Sequence, residues 1–311
     1  MGIWKGSNFS LIKNKNFQEK LDQKIKVIDA GAAGDIFEPF DSIPNLLKVY
    51  TFEPRSESVD DRVAETKNVP GGVWSESTKK DLHVANNPST SSIYPPNKEI
   101  LQNFPSHIGW EARKTKDIIS IPMISIDDAV DQDLCELPNF IKLDIHSAEY
   151  EAILGSKSSL DNCLGFLVET WHIDIHKGQY LSADVEKLLN SYGFFQFYNH
   201  QNSSWPYSIK PSAILSDRRH VVGSETLYFR KDVPPHLSLM FIGLLELFGY
   251  GALAVLKYNE YCKRGFLEED KELIKILHKN IKKRELFHVL NHPLKSLHYK
   301  LYELKRNLLK R

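Results

Sequence analysis

Cysteine is scarce in this chain: three residues in 311, Cys135, Cys163 and Cys262, with no CxxC and no pairing spacing. That scarcity excludes a disulfide framework and a zinc knuckle and fits a reducing cytoplasm. An excess of either charge is also missing, since 40 Lys and Arg balance 40 Asp and Glu. A dedicated nucleic-acid binder would leave a basic footprint, so no nucleic-acid partner is expected. The local exception is the basic C-terminal stretch KNIKKRELFHVLNHPLKSLHYKLYELKRNLLKR, which reads as a solvated helix face or a weak anionic-surface contact. The N-terminus MGIWKGSNFSLIKNKNF lacks an apolar core of signal-peptide length, and Gly6 stands where a myristoylation motif wants Ser or Thr. Neither secretion nor a lipid anchor is expected. One apolar run, Leu237 to Leu256, approaches bilayer-spanning length. Glu246 interrupts it and Gly249 and Gly251 flank a turn, which predicts two packed helices and no transmembrane segment.

What is present is ordinary globular material, 41% hydrophobic and 26% charged. Short β-branched runs alternate with longer segments: KVIDAG from Lys26, KVYTFEP from Lys48, NVPGGVWS from Asn68, FIKLDI from Phe140 and LGFLVET from Leu164. That alternation predicts βαβ units around a parallel sheet. GFFQFYNH and SETLYFR lack a helical crossover between them and predict an antiparallel edge hairpin. DLHVANN and ISIPMISIDDAV, with the Pro/Ser loop NPSTSSIYPPN between them, read as an insertion over the functional edge of the sheet. After Pro234-Pro235 the pattern is helical. The expected organisation is an N-terminal extension over 1–24, a core domain over 25–231 and a helical C-terminal appendage over 232–311, whose helices offer a surface for a homo-oligomer.

The first strand ends in VIDAGAAGD, an acid followed by Gly31 and Gly34 in a tight turn. Glycine lets the backbone approach a ligand and adopt positive φ without a Cβ penalty. The second strand ends in TFEP, placing Glu53 to take two ribose hydroxyls. A nicotinamide dinucleotide would use the same spacing. The turn is not GxGxxG, however: Ala33 and Ile36 replace the second and third glycines, and Asp29 would repel a diphosphate. Asp29 suits the ammonium group of S-adenosylmethionine. The bland alternative is that Glu53 merely caps a strand that Pro54 stops.

With the later segments added, the chain resembles the FkbM family of S-adenosylmethionine-dependent methyltransferases. VIDAGAAGD, YTFEP, VANNPSTSSIYPPN, IPMISIDDAV, FIKLDIHSAEYEAILGS, LVETWHIDIHKGQYLSADVEKLLNSYGFFQF and GSETLYFR are similar, in order, to family motifs from about residue 25 to 230. The resemblance implies a Rossmann-like class I methyltransferase fold, mostly parallel and doubly wound, with S-adenosylmethionine as cofactor. It implies O-methylation of a glycan or glycan precursor, or of another small-molecule acceptor. Asp29, Gly31, Gly34 and Glu53 would contact the cofactor, with Ser91 and Ser92 in the covering loop as further contacts. Two departures stand out. Asp35 occupies a position where the family turn more often has glycine, and His146-Ser147 replaces the family's Glu-Gly or Gln-Gly pair.

Asp144 ends the fourth strand at the crevice, where the resemblance puts a functional acid; its bland reading is a helix cap. His146 titrates near neutral pH and is a candidate base. Glu149 lies in the first turn of the next helix, where the helix dipole favours it. Lys142, interior to a strand, needs a carboxylate partner such as Asp144 or Glu169. Glu169, His172, Asp174 and His176 form a second cluster, from which His172 is a third catalytic candidate. With Asp144 and His146 it offers a base pair for one hydroxyl or, less favoured, a divalent-metal site for a vicinal diol. Trp171 is a sugar-ring wall or a core residue. The rival functions are a catalytically silent binding or scaffolding module and an NAD-dependent oxidoreductase.

Overall fold

A computed structural model of the chain describes residues 11–31, 36–54, 65–209, 212–213 and 217–291. The chain folds into two compact units. The larger takes in Lys24–Ile36 and Pro44–Pro234; the smaller takes in Phe37–Ile43 together with the segments before Lys24 and after Pro234.

In the larger unit the short β-branched runs become strands. They are β1 (Ile25–Ala30), β2 (Leu47–Phe52), β3 (Thr66–Val69), β4 (Gly72–Val73), β5 (Thr78–Ala85), β6 (Thr115–Ile124), β7 (Phe140–Leu143), β8 (Gly165–Trp171), β9 (Phe194–Trp205), β10 (Ser208–Ile209), β11 (Ser212–Ala213) and β12 (His220–Arg230). Seven form one sheet in the order β3-β2-β1-β7-β8-β12-β9. β3, β2, β1, β7 and β8 run parallel, and β12 is antiparallel to both β8 and β9. This is the expected mostly parallel, doubly wound sheet with an antiparallel edge hairpin.

Strand alternation sorts the side chains. Ile28, Ile141, Leu143, Phe166 and Val168 share one face and pack with Ala152, Ile153 and Leu189 from the helices Glu149–Leu154 and Ser182–Ser191. Each of the larger side chains, Ile, Leu, Val or Phe, contributes about 1.5–3 kcal/mol when fully buried. Asp29 stands opposite Lys142, and Lys142 opposite Leu167, so Asp29, Lys142 and Glu169 occupy the other face. NVPGGVWS behaves differently from the single strand it resembled. The chain turns at Gly71, φ 101, leaving β3 in the large sheet and β4 in a second sheet ordered β4-β6-β5. Trp74, Leu82, Ile121 and Met123 of this insertion pack on Ala148, just beyond the end of β7.

In the smaller unit the apolar run divides into the helices Ser238–Leu247 and Gly251–Lys263, with Gly249 at φ 93 between them. Among the described residues no helix is long and apolar enough to cross a membrane. Glu246, fully buried, explains itself by its partners. Its carboxylate accepts from the Leu11 N–H at 2.5 Å and from Asn280 Nδ2 at 3.4 Å, and pairs with Arg284 Nη2 at 2.8 Å. Removing one member of a buried ion pair strands the other. Glu246→Ala should therefore lower unfolding free energy by about 3–5 kcal/mol in urea melts, with Glu246→Gln losing less; an unchanged midpoint in Glu246→Ala would contradict this role.

Candidate active site

A cavity of about 380 Å³ opens at the carboxyl ends of β1, β2, β7 and β8. Ligand crevices of doubly wound sheets lie at this edge. Asp29, Gly31, Glu53, Asp144, His146 and Glu169 all line it. Val73, Leu82, Ile121 and Met123 of the insertion add an apolar wall.

The polar floor follows from strand register. Lys142 Nζ donates to Asp29 Oδ1 at 3.2 Å and lies 3.6 Å from Asp144 Oδ2. Burial alone would push the ammonium down, but the two carboxylates outweigh it and hold Lys142 above the ordinary lysine range. Burial raises the Asp29 carboxyl against the opposing pull of Lys142. Asp144 is also raised by desolvation, yet Lys142 and His146 win and hold it below the usual value. Gly31 has φ 82, and a Cβ added there would collide with the Asp144 carbonyl. A glycine at this point lets β1 and the end of β7 meet.

The hinge after β7 is left-handed: His146 has φ 50 and Ser147 φ 87. The following helix begins at Glu149, whose buried carboxyl accepts the Ile145 N–H at 2.9 Å. Burial pushes that carboxyl up to about 8, so it is protonated at neutral pH. His146 Nδ1 sits 3.3 Å from Glu169 Oε2. Burial alone would lower the imidazole, but Glu169 and Asp144 outweigh it and hold it at about 9. Glu169 itself is raised, by burial first and then by Asp144. Arg113, stacked over Trp205 and Trp171, adds positive charge beside Glu169.

Other residues singled out in the sequence take different places. Gly34 lies outside the described residues. Ser91 lines the cavity, whereas Ser92 is buried and donates from its hydroxyl to the His146 carbonyl at 2.5 Å. His172 is not among the lining residues. Its Nδ1 meets Ser182 Oγ at 2.6 Å and its Nε2 meets Ser224 Oγ at 3.2 Å, and burial lowers its pKa. Trp171 is core, packed with Phe104, Ile175, Trp205 and Val222. Asp144, His146 and Glu169 bring donor atoms within 4.8 Å of one another. Their negative charge already faces Lys142, Arg113 and the His146 imidazolium, so charge balance does not require a cation, and no metal ligands are assigned.

The family model of the methyltransferase FkbM domain matches residues 30–195, more than half of the chain. The chain belongs to the FkbM methyltransferase family. No curated protein matches it. Among solved structures, this FkbM-family chain is similar to methyltransferase FkbM from Methylobacillus flagellatus KT at 15% identity and TM-score 0.35, over 66% of this chain and 43% of that one. It thus spans less than half of that relative's length. It is also similar to magnesium protoporphyrin IX methyltransferase from Synechocystis PCC 6803 with bound SAM, at 11% identity and TM-score 0.29, over 69% and 73% of the two chains.

The pairing of His146 with Glu169 has a thermodynamic signature in this FkbM-family chain. A group whose folded pKa is raised contributes stability that is complete below its unfolded value and lost as pH rises through the folded value. For His146 that window runs from 6.5 to about 9, and Glu149, moving from 4.5 to about 8, has the same sign. Urea midpoints should fall between about pH 4.5 and 9, and in His146→Gln the fall above about pH 6.5 should be smaller. A flat wild-type profile would contradict the pairing.

Proposed function

We propose that the chain is an S-adenosylmethionine-dependent O-methyltransferase acting on a hydroxyl of a small-molecule or glycan acceptor. The observation that supports this most is that one cavity joins the strand-end acids Asp29 and Glu53 to the group Asp144, His146 and Glu169. The donor set fits the cofactor: a carboxylate for an ammonium, a second for vicinal ribose hydroxyls, and apolar side chains for a planar base. When bound, S-adenosylmethionine supplies a methyl group on a sulfonium for in-line displacement by the acceptor oxygen. Asp29, Gly31 and Glu53 would hold it, with Ser91 of the same cavity and Gly34 as further contacts.

An attacking hydroxyl must shed its proton, and a positioned base of suitable pKa takes it. Glu169 is that base in this reading. Its raised pKa gives it more proton affinity than Asp144, which Lys142 and His146 keep ionised. Two carboxylates driven apart in this way divide acid-base work from charge stabilisation. His146, expected from the sequence to be the base, already carries a proton at neutral pH. Its role here is to orient and steady Glu169. His172, tied to two serines, is left to the fold. The glycan class of acceptor follows from the family resemblance, and a cytoplasmic setting suits the three free cysteines.

Calorimetry with S-adenosylhomocysteine tests the cofactor. Glu53→Ala should weaken that binding by roughly ten- to a hundredfold, the loss of a charged hydrogen bond costing about 1.5–3 kcal/mol. Glu169→Gln should keep cofactor affinity and lower transfer of labelled methyl groups to a glycan panel by about a hundredfold or more. Binding of NAD in place of S-adenosylhomocysteine would overturn the reading.

A further inference from the structure

His146 and Ser147 are consecutive non-glycine residues with positive φ, at 50 and 87. Left-handed backbone costs an L-residue free energy, and such residues persist only where their surroundings over-determine them. A glycine at the second of these positions would adopt that φ without cost. Serine in its place adds strain and one hydroxyl, and the hydroxyl is fully engaged. Ser147 Oγ donates to Gln179 Oε1 at 3.1 Å and lies 2.8 Å from His176 Nδ1. Gln179 Oε1 also accepts the His176 N–H at 2.7 Å, while its amide donates to the Ile173 carbonyl at 3.3 Å.

All three side chains are buried, and none lines the cavity. Burial keeps His176 neutral, well below the ordinary histidine range, so it presents a hydrogen-bonding ring nitrogen without a charge of its own. The loop carrying it is fixed in turn: Pro96 bridges His176, and Asn97 N–H donates to the Ile175 carbonyl at 2.9 Å. From the other side Ser92 holds the His146 carbonyl. The hinge is thus clamped between the covering loop and the loop after β8. The network meets the reacting groups at the backbone of residues 146 and 147.

We propose that Ser147 is a positioning residue: through His176 and Gln179 it locks the left-handed hinge that sets the His146 imidazole against the Glu169 carboxylate. The inference rests on the reading of Glu169 as the base, but its test does not need methyl transfer. The groups that act on the charge of His146 are Glu169, Asp144 and Arg113, with Glu149 and His176 coupled to it in turn. A shift of the ring away from Glu169 removes the largest favourable one.

The test is an NMR pH titration of protein labelled with ¹⁵N-histidine. In the wild type His146 should stay protonated to about 9. Ser147→Ala and Ser147→Gly both remove the hydroxyl, and the His146 midpoint should fall by about one unit or more, a tenfold loss of proton affinity. Ser147→Gly also removes the backbone strain, so it should melt at or above the temperature of Ser147→Ala while still losing the titration shift. A purely structural serine would leave the His146 midpoint unchanged in both variants, whatever their melting temperatures. If Ser147→Ala does not fold, Ser147→Gly decides alone. Wild-type titration in the folded variants overturns the proposal. Failure of the wild type to bind S-adenosylhomocysteine would remove the proposed function and leave the positioning result standing.

Discussion

The site depends on one buried charge, the ammonium of Lys142. A lysine inside a sheet is costly unless carboxylates surround it, and strand register supplies them: Asp29 directly across on β1 and Asp144 two positions along its own chain. Those two acids are committed to the crevice by the same interaction that makes Lys142 tolerable. The close approach of Gly31 to the Asp144 carbonyl then fixes how far apart the ends of β1 and β7 stand. A change in any of these residues would reach both strand ends and the cavity they line.

Beyond Lys142 the environment drives neighbouring groups apart. Asp144 is held low by two cations, Glu169 is raised by burial and by Asp144, and His146 is held up by the carboxylates. Paired titratable groups with divergent environments are the arrangement from which acid and base roles are drawn. Neutral His176, only a serine hydroxyl away from the hinge, completes the contrast: two histidines in one neighbourhood, one charged and one not. The difference lies in what faces each ring, carboxylates for His146 and hydroxyl and amide groups for His176.

The smaller unit solves a related problem with Glu246. A carboxylate in the middle of an apolar run reads as a defect in a membrane span, but in two packed helices it gathers Arg284, Asn280 and the Leu11 N–H. A buried acid with three partners favours one arrangement of its unit over others that would leave the partners unsatisfied.

The sequence by itself determined the strands, their parallel order of connection and the acids at their ends, because alternation and glycine turns are local signals. Asp29, Gly31, Glu53, Asp144 and His146 were all legible that way, and all line the cavity. Glu169 was visible as one acid in a second cluster, but nothing local distinguished it from His172, three residues on. Only the tertiary structure gave them different surroundings, turning Glu169 to His146 and His172 to Ser182 and Ser224. The split of NVPGGVWS between two sheets, the left-handed hinge, and the ties from Ser92 and His176 to it belong to the same class. They join residues tens of positions apart, and strand register, loop path and burial set such pairings; local periodicity does not encode them.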